Sequence, residues 1–194
     1  MTFTLQHGLP ADLQPAAAQL YWQAFGGKLG KIMGPEPRAL QYFERVIQPQ
    51  FAYAALGDTG QLLGMAGYKT PAGSFAGGSG ADLRVVYGLT GAAWRIPLLW
   101  FLGREIDNDR FLLDGICVAR DARGQGIGSA LMTAIFAEAK SRGYGAVRLD
   151  VINTNWRAKA LYERLGFVVE KITSIGVLRH AFGFQSATTM VKKI

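Results

Sequence analysis

The chain has 194 residues, of which 49% are hydrophobic and 18% are charged. This composition fits a globular domain with a full-sized core and excludes a disordered chain. The single cysteine, Cys117, excludes an intrachain disulfide and fits a reducing compartment. The first residues, MTFTLQHGLPADLQ, lack a basic stretch followed by an apolar run, so we expect no signal peptide and a cytoplasmic protein.

The net charge of +7 is unevenly distributed along the chain. Residues 1–114 carry nine basic and nine acidic side chains, whereas residues 115–194 carry twelve basic and five acidic ones. This excess favours a polyanionic partner, either nucleic acid or a phosphorylated cofactor, and a solvated basic surface is the third explanation. Because we find no nucleic-acid-binding motif, we expect no nucleic-acid partner.

Hydrophobic periodicity and turn residues predict a mixture of helices and strands. In chain order, a helix over 12–25 is expected to end at Gly26-Gly27, and a second helix covers 35–47. A glycine-rich stretch over 71–81 is typical of a mobile loop, and an apolar helical segment follows it over 82–104. The other predicted elements are strands 51–56 and 61–69 in a hairpin, strand 111–118, helix 128–141, strand 146–152, helix 155–165, and strands 167–172 and 184–193. The continuous apolar run of strand 111–118 predicts a central place in the sheet.

A glycine-rich turn between a strand and a helix predicts an anion-binding site. Its residues are Arg123, Gly124, Gln125, Gly126, Ile127 and Gly128. Glycines allow backbone N–H groups to converge on an anion, and the following helix directs its positive end to the same point. Arg123 adds a full charge and Ser129 a hydroxyl donor. The glycine spacing differs from a dinucleotide fingerprint, and no Walker lysine follows. Taken alone, the motif is equally explained by tight packing of the strand against the helix.

A second motif lies on the helix after the next strand. Asn155 is suited to cap that helix, and Tyr162 lies close to two turns later on nearly the same face. Together, the segments LLDGICVARDARGQGIGSALM (112–132) and NTNWRAKALYERLGF (153–167) resemble the GNAT superfamily of acyl-CoA-dependent N-acyltransferases. The first carries the family's Arg-x-x-Gly-x-Gly pattern, and the second carries its Asn-x-x-Ala-x-x-x-Tyr pattern with a Gly-Phe ending.

The resemblance implies a fold and a cofactor. It implies one GNAT-like N-acetyltransferase domain over residues 1–194, of the α/β (α+β) class. Its central, mixed, mostly antiparallel twisted sheet has about six to seven strands flanked by helices, with a helical apolar insertion around 82–104. Acetyl-CoA is the implied co-substrate, and no metal is expected. Ile116, Cys117 and Val118 would pair with the pantetheine arm, residues 123–129 would bind the pyrophosphate, and Asn155 would contact the cofactor.

The resemblance also implies direct transfer of the acetyl group to a primary amine of a small molecule or peptide. Tyr162 is the expected general acid toward the departing thiolate, since a phenol is suited to that role. The general base that takes the proton of the amine has several candidates: Asp114 is one, and Glu105, Asp107 and Asp109 are others. Plain strand alternation would place Asp114 on the face of Ile116 and Val118. A non-catalytic acyl-CoA-binding or sensing module on the same fold is the alternative function.

The apolar insertion allows three explanations. It could cover the core as a buried helix, which we favour, line an apolar acceptor pocket, or form a dimer contact or a membrane-surface helix. Its densest part, residues 96–102, is far shorter than the roughly 20 residues that span a bilayer. We therefore expect no stable membrane association, and a homodimer stays possible.

Overall fold

The computed structural model describes residues 2–103 and 109–194, and in these residues eight strands form one sheet. The strands are β1 (Phe3–His7), β2 (Ala52–Gly57), β3 (Leu62–Thr70), β4 (Gly73–Ser74), β5 (Phe111–Val118), β6 (Ala146–Ile152), β7 (Val168–Ser174) and β8 (Ser186–Lys193). Their order is β1-β2-β3-β5-β6-β8-β7, and β4 pairs with β3 off this path. Every pair is antiparallel except the parallel pair β5–β6. The predicted mixed, mostly antiparallel sheet is confirmed, and β5 holds its middle position.

Helices flank this sheet. They are α1 (Gln14–Met33), α2 (Glu36–Val46), α3 (Gly80–Gly103), α4 (Ile127–Ser141), α5 (Trp156–Arg164) and α6 (Arg179–Phe182). The bounds of α2, α4 and α5 agree with the predicted helices to within a residue or so. The four-residue α6 and the edge strand β1 were not predicted: α6 is a single turn, and β1 has only five residues, although Phe3 and Leu5 alternate with polar residues along it.

The predicted end of α1 at Gly26-Gly27 is wrong. The helix continues through both glycines and ends at Met33, before the extended Gly34. Each interior glycine costs a helix about 1 kcal/mol relative to alanine. Ile32 and Met33 are each only 1% exposed, and full burial of such a side chain stabilises the fold by about 1.5–3 kcal/mol. The last turns of α1 therefore form because their side chains enter the core.

The glycine-rich segment over 71–81 is anchored to the sheet rather than detached from it. Gly73 and Ser74 form β4, and Phe75 is 1% exposed. The Phe75 ring lies so close over Gly67 of β3 that a Cβ atom there would be 2.6 Å from it. The segment is thereby held against one face of the central strands.

The insertion forms α3, which is broken at Gly88, where φ is 71° and ψ is 178°. Leu83, Val86 and Tyr87 are buried and the helix packs on α2, so the part before Gly88 covers the core, whereas Trp94 and Trp100 beyond it are exposed. Val85 and Leu89 remain exposed on its outer face. Among the described residues, no helix combines the length and the apolar character needed to cross a bilayer.

Arg95 of α3 ties the insertion to the end of α1. Its guanidinium donates to the carbonyl oxygens of Ile32 at 2.7 Å, Gly91 at 2.9 Å and Gly34 at 3.1 Å. The same group stacks on the Tyr87 ring, 3.9 Å from its centroid. Burial lowers the pKa of Arg95, because its partners are neutral carbonyls and aromatic rings.

We expect Arg95→Met to lower the free energy of unfolding by about 2–4 kcal/mol, because three buried carbonyls lose a charged donor. Denaturant unfolding measures the change. Arg84→Met on the exposed face of the same helix is the matched control and should change stability by less than about 0.5 kcal/mol. Equal effects of the two substitutions would contradict this role of Arg95.

Candidate active site

The central strands β5 and β6 are paired only at one end. Phe111 pairs with Val147 and Leu112 with Arg148, and beyond them the two strands share no ladder pairs in the described part of the chain. On its other side β5 stays paired with β3 as far as Val118. The backbone of β5 after Leu112 therefore has one edge open toward β6, at the middle of the sheet. Ile116, Cys117 and Val118 lie on this open stretch.

A β-bulge in β5 places Asp114. Gly67 pairs with Gly115 while the next residue of β3, Tyr68, pairs with Leu113, so Asp114 has no residue opposite it. A bulge bends the strand and re-aims the side chain of the extra residue. The plain alternation expected from the sequence is therefore interrupted at Asp114.

The Asp114 carboxylate accepts a hydrogen bond from the backbone N–H of Ala76 at 3.0 Å. Burial raises the pKa of Asp114, while the Ala76 N–H and the ammonium groups of Lys69 and Lys28 act in the opposite direction. A carboxylate with a raised pKa is a stronger base than an exposed one. Of the other base candidates, Asp109 is exposed before β5, and Glu105 and Asp107 lie outside the described residues.

The glycine-rich turn forms the start of α4, beside the end of β5. Gly124 and Gly126 have φ values of 77° and 81°, and Gly126 caps the helix. A Cβ atom at either position would have no heavy atom within 4 Å, so the surface over both glycines is open. Arg123 donates from Nε to the Val118 carbonyl at 3.2 Å, which ties the turn to the strand. Ile127 is buried beneath the turn, whereas Gln125 and Ser129 are exposed.

Helix α5, which carries the motif of Asn155 and Tyr162, lies beside the glycine-rich turn. A Cβ atom on Gly128 would lie 3.6 Å from the Leu161 side chain and 3.9 Å from that of Val118, so α5, the start of α4 and the end of β5 are neighbours. Asn155 caps α5, since its Oδ1 accepts from the Ala158 N–H at 3.3 Å. That bond uses the side-chain oxygen and leaves the amide nitrogen as a donor on an exposed residue.

Tyr162 and Cys117 are buried neighbours between the two halves of the site. Tyr162 is 7% exposed, and burial together with the nearby Cys117 raises its pKa well above the ordinary value. Burial raises the pKa of the Cys117 thiol to about 12, although Arg123 opposes the shift. The thiol is therefore protonated at neutral pH, so Cys117 is a poor nucleophile.

On the other side of β5, a cavity of about 310 Å³ opens between α1, α2 and the segment after β4. Asp114 lines it together with Lys28 and Lys69. Its apolar wall is formed mainly by Tyr21, Phe25, Leu29, Met33, Phe43 and Leu99. Phe25 packs directly on Gly115, where a Cβ atom would be 2.6 Å from its ring. Leu99 belongs to α3, so the insertion also contributes to a pocket, as one of the explanations above held.

The sequence analysis missed the α1 side chains of this cavity. Tyr21, Phe25, Lys28 and Leu29 follow the helical spacing of one face, and this spacing continues past Gly26-Gly27 to Met33. The helix predicted to end at Gly26-Gly27 did not include Lys28, so Lys28 was not assigned to that face. The continued periodicity was the signal that could have identified it.

The fold and the site define an α/β protein with a glycine-rich turn at the start of α4 on one side of a split sheet and an open cavity on the other. The chain matches the profile of the acetyltransferase (GNAT) family over residues 15–167. It therefore belongs to the GNAT family, as the two sequence motifs predicted.

Individual relatives cover different parts of the chain. Over 75 residues it is 37% identical to the "Probable N-acetyltransferase camello" of Xenopus tropicalis, a match to 39% of this chain and 34% of that protein. The chain thus aligns with about a third of that relative's length. An N-acetyltransferase structure from Staphylococcus aureus Mu50 has a TM-score of 0.66 at 14% identity, covering 97% of this chain and 100% of that one. A putative streptothricin acetyltransferase from Bacillus anthracis str. Ames, solved in complex with acetyl coenzyme A, has a TM-score of 0.51 at 18% identity, with 74% and 61% covered.

Gly126→Ala tests the turn against a control with the same backbone geometry. Gly143 after α4 has a φ of 82°, close to that of Gly126, and also has open space where a Cβ atom would lie. Both substitutions to alanine should destabilise the fold by about 1–2 kcal/mol, because both force a side chain into the left-handed region. Only Gly126→Ala should weaken acetyl-CoA binding, by about tenfold or more, as measured by calorimetry. Equal affinity of the two variants would contradict an anion site at this turn.

Proposed function

We propose that the protein is an N-acetyltransferase that transfers the acetyl group of acetyl-CoA directly to a primary amine of a small molecule or peptide, within one domain over residues 1–194. The open edge of β5 carries the proposal. It has the glycine-rich turn at one end and the Asp114 cavity beside it, with Tyr162 and Cys117 between. Two substrates that enter from opposite sides could react at this edge without a covalent enzyme intermediate. Membership of the GNAT family supports the same activity.

The residues of the turn fit the pyrophosphate of acetyl-CoA. The space over Gly124 and Gly126 lets a phosphate approach the backbone N–H groups, and the fifteen-residue α4 directs its positive end there. Arg123 keeps donors beyond the Nε that binds Val118. The full set proposed to hold the cofactor is Ile116, Cys117, Val118, Arg123, Gly124, Gln125, Gly126, Ile127, Gly128, Ser129 and Asn155. When bound, acetyl-CoA supplies an acyl group activated as a thioester.

Asp114 is our candidate for the base. The amine nitrogen must lose a proton as it forms its bond to the acetyl carbonyl carbon, and the raised pKa of the buried carboxylate favours taking that proton. The C–S bond breaks in the same transfer, and the sulfur leaves with the electron pair. Tyr162 is our candidate for the group that protonates this sulfur. Its raised pKa keeps the phenol protonated at neutral pH, so a donor is present whenever negative charge develops.

Tyr162→Phe should lower kcat by about a hundredfold, in the range typical for loss of a general acid, with little change in acetyl-CoA affinity. A thiol-release assay over a panel of amines measures it. Tyr144→Phe, a partly buried tyrosine beyond the opposite end of α4, is the matched control and should retain activity. Full kcat in Tyr162→Phe would remove this role. Tight acetyl-CoA binding by the unaltered protein without turnover of any amine would favour the sensing module instead.

Asp114→Asn separates catalysis from stability. The raised pKa means that ionised Asp114 disfavours the folded state, so a neutral asparagine that still accepts from Ala76 should leave the free energy of unfolding at pH 7 unchanged or higher. Activity should fall by about a hundredfold or more. In the unaltered protein, kcat/KM calculated with the concentration of the neutral amine should drop as the pH falls through the raised pKa of Asp114. This drop should be absent in the variant. Loss of both stability and activity would indicate a structural role.

A further inference from the structure

The Asp114 cavity carries positive charge on its walls as well as the single negative charge. Among the described residues that line it, the charged ones are Lys28, Lys69 and Asp114. The Lys28 ammonium disfavours a substrate that brings several positive charges, because like charges in a partly buried site repel each other strongly. The walls thus favour an acceptor that brings a negative charge with its amine.

Lys28 is the side chain that can bind this negative charge. It lies in the middle of α1, and its Nζ is 5.9 Å from the centroid of the Phe184 ring. Within the described part of the chain, no carboxylate oxygen comes within 4.0 Å of its ammonium. Burial lowers the pKa of Lys28, and the more distant Asp150 and Asp114 only partly offset this. A partly buried ammonium without a close counter-ion is stabilised by any anion that reaches it.

The apolar wall limits what lies between the two charged groups. Tyr21, Phe25 and Phe43 form adjoining aromatic rings, 4.4 Å and 4.8 Å apart between the centroids of Tyr21 and its two neighbours. Leu29, Met33 and Leu99 continue the same wall. A cavity of about 310 Å³ has room for a small molecule with one apolar side group.

We propose that the acceptor is a small apolar amino carboxylate, of which apolar α-amino acids are the simplest members. This inference rests on the proposed acetyl transfer. Its amine lies toward Asp114, its carboxylate binds the Lys28 ammonium, and its apolar group lies on the aromatic wall. The transfer leaves the carboxylate in place and turns the amine into an acetamide. Lys28 is a specificity-determining residue in this arrangement and takes no part in the proton transfers.

Phenylalanine and phenylalanine amide test the proposal, because the amide has the same side chain and amine but an uncharged group in place of the carboxylate. The amide has the lower amine pKa, so a preference for the acid cannot arise from a larger neutral fraction of its amine. Thiol release with acetyl-CoA should show a kcat/KM at least about tenfold higher for phenylalanine. Leucine and leucine amide should give the same order, and spermidine should be a poor substrate.

Lys28→Met should remove this preference through a higher KM for phenylalanine, so that kcat/KM falls at least about tenfold more for phenylalanine than for its amide. Lys28→Arg keeps the charge and should keep the preference. Lys31→Met is the control on the same helix, since Lys31 is exposed and donates to the His180 carbonyl at 3.0 Å.

Two results would overturn the proposal while leaving the acetyltransferase intact. The first is turnover of the amides or of spermidine in preference to the amino acids. The second is an equal fall in kcat/KM for phenylalanine and its amide in Lys28→Met, with circular dichroism showing that the variant keeps its fold. Absence of thiol release with every amine tested would overturn the proposed acetyl transfer itself, and this proposal with it.

Discussion

The site depends on the interrupted pairing of β5 at the centre of the sheet. The last ladder pair with β6 is at Leu112, and the bulge at Asp114 follows two residues later. A bulge increases local twist and bends its strand, so the two features act together to separate β5 from β6. An open edge with unpaired backbone groups is normally a liability in a protein. Here it lies between a glycine-rich turn and a cavity.

Burial then determines the protonation states along this edge. It raises the pKa values of Tyr21, Cys117 and Tyr162, so all three hold their protons at neutral pH. A protonated thiol does not attack a thioester, whereas a protonated phenol can donate to a departing sulfur. Burial raises the pKa of Asp114 as well, although the Ala76 N–H and two lysines partly offset this shift. The proposed direct transfer with one base and one acid is consistent with these shifts.

The sequence predicted the elements around the glycine-rich turn much better than those around the cavity. Strands β5 and β6 have the predicted bounds, and the glycine-rich turn and Tyr162 lie on the predicted elements, because glycines, caps and apolar runs act locally. The bulge at Asp114 depends on pairing with β3, which alternation along one strand cannot reveal. The continuation of α1 through two glycines depends on the core space that Ile32 and Met33 fill. Both are tertiary effects, and both shape the cavity.

This difference explains why family membership does not identify the acceptor. The motifs shared with the family lie in residues 112–132 and 153–167, which form the turn, α4 and α5. The cavity takes Asp114 from these motifs and is otherwise lined by α1, α2, Lys69 of β3, the segment after β4 and Leu99 of α3. Arg95 fixes α3 to the carbonyls of Ile32 and Gly34, at the end of the same helix that carries Lys28. The fit of the insertion against α1 therefore contributes to the shape of the cavity, and the proposed acceptor has to be inferred from the side chains that line it.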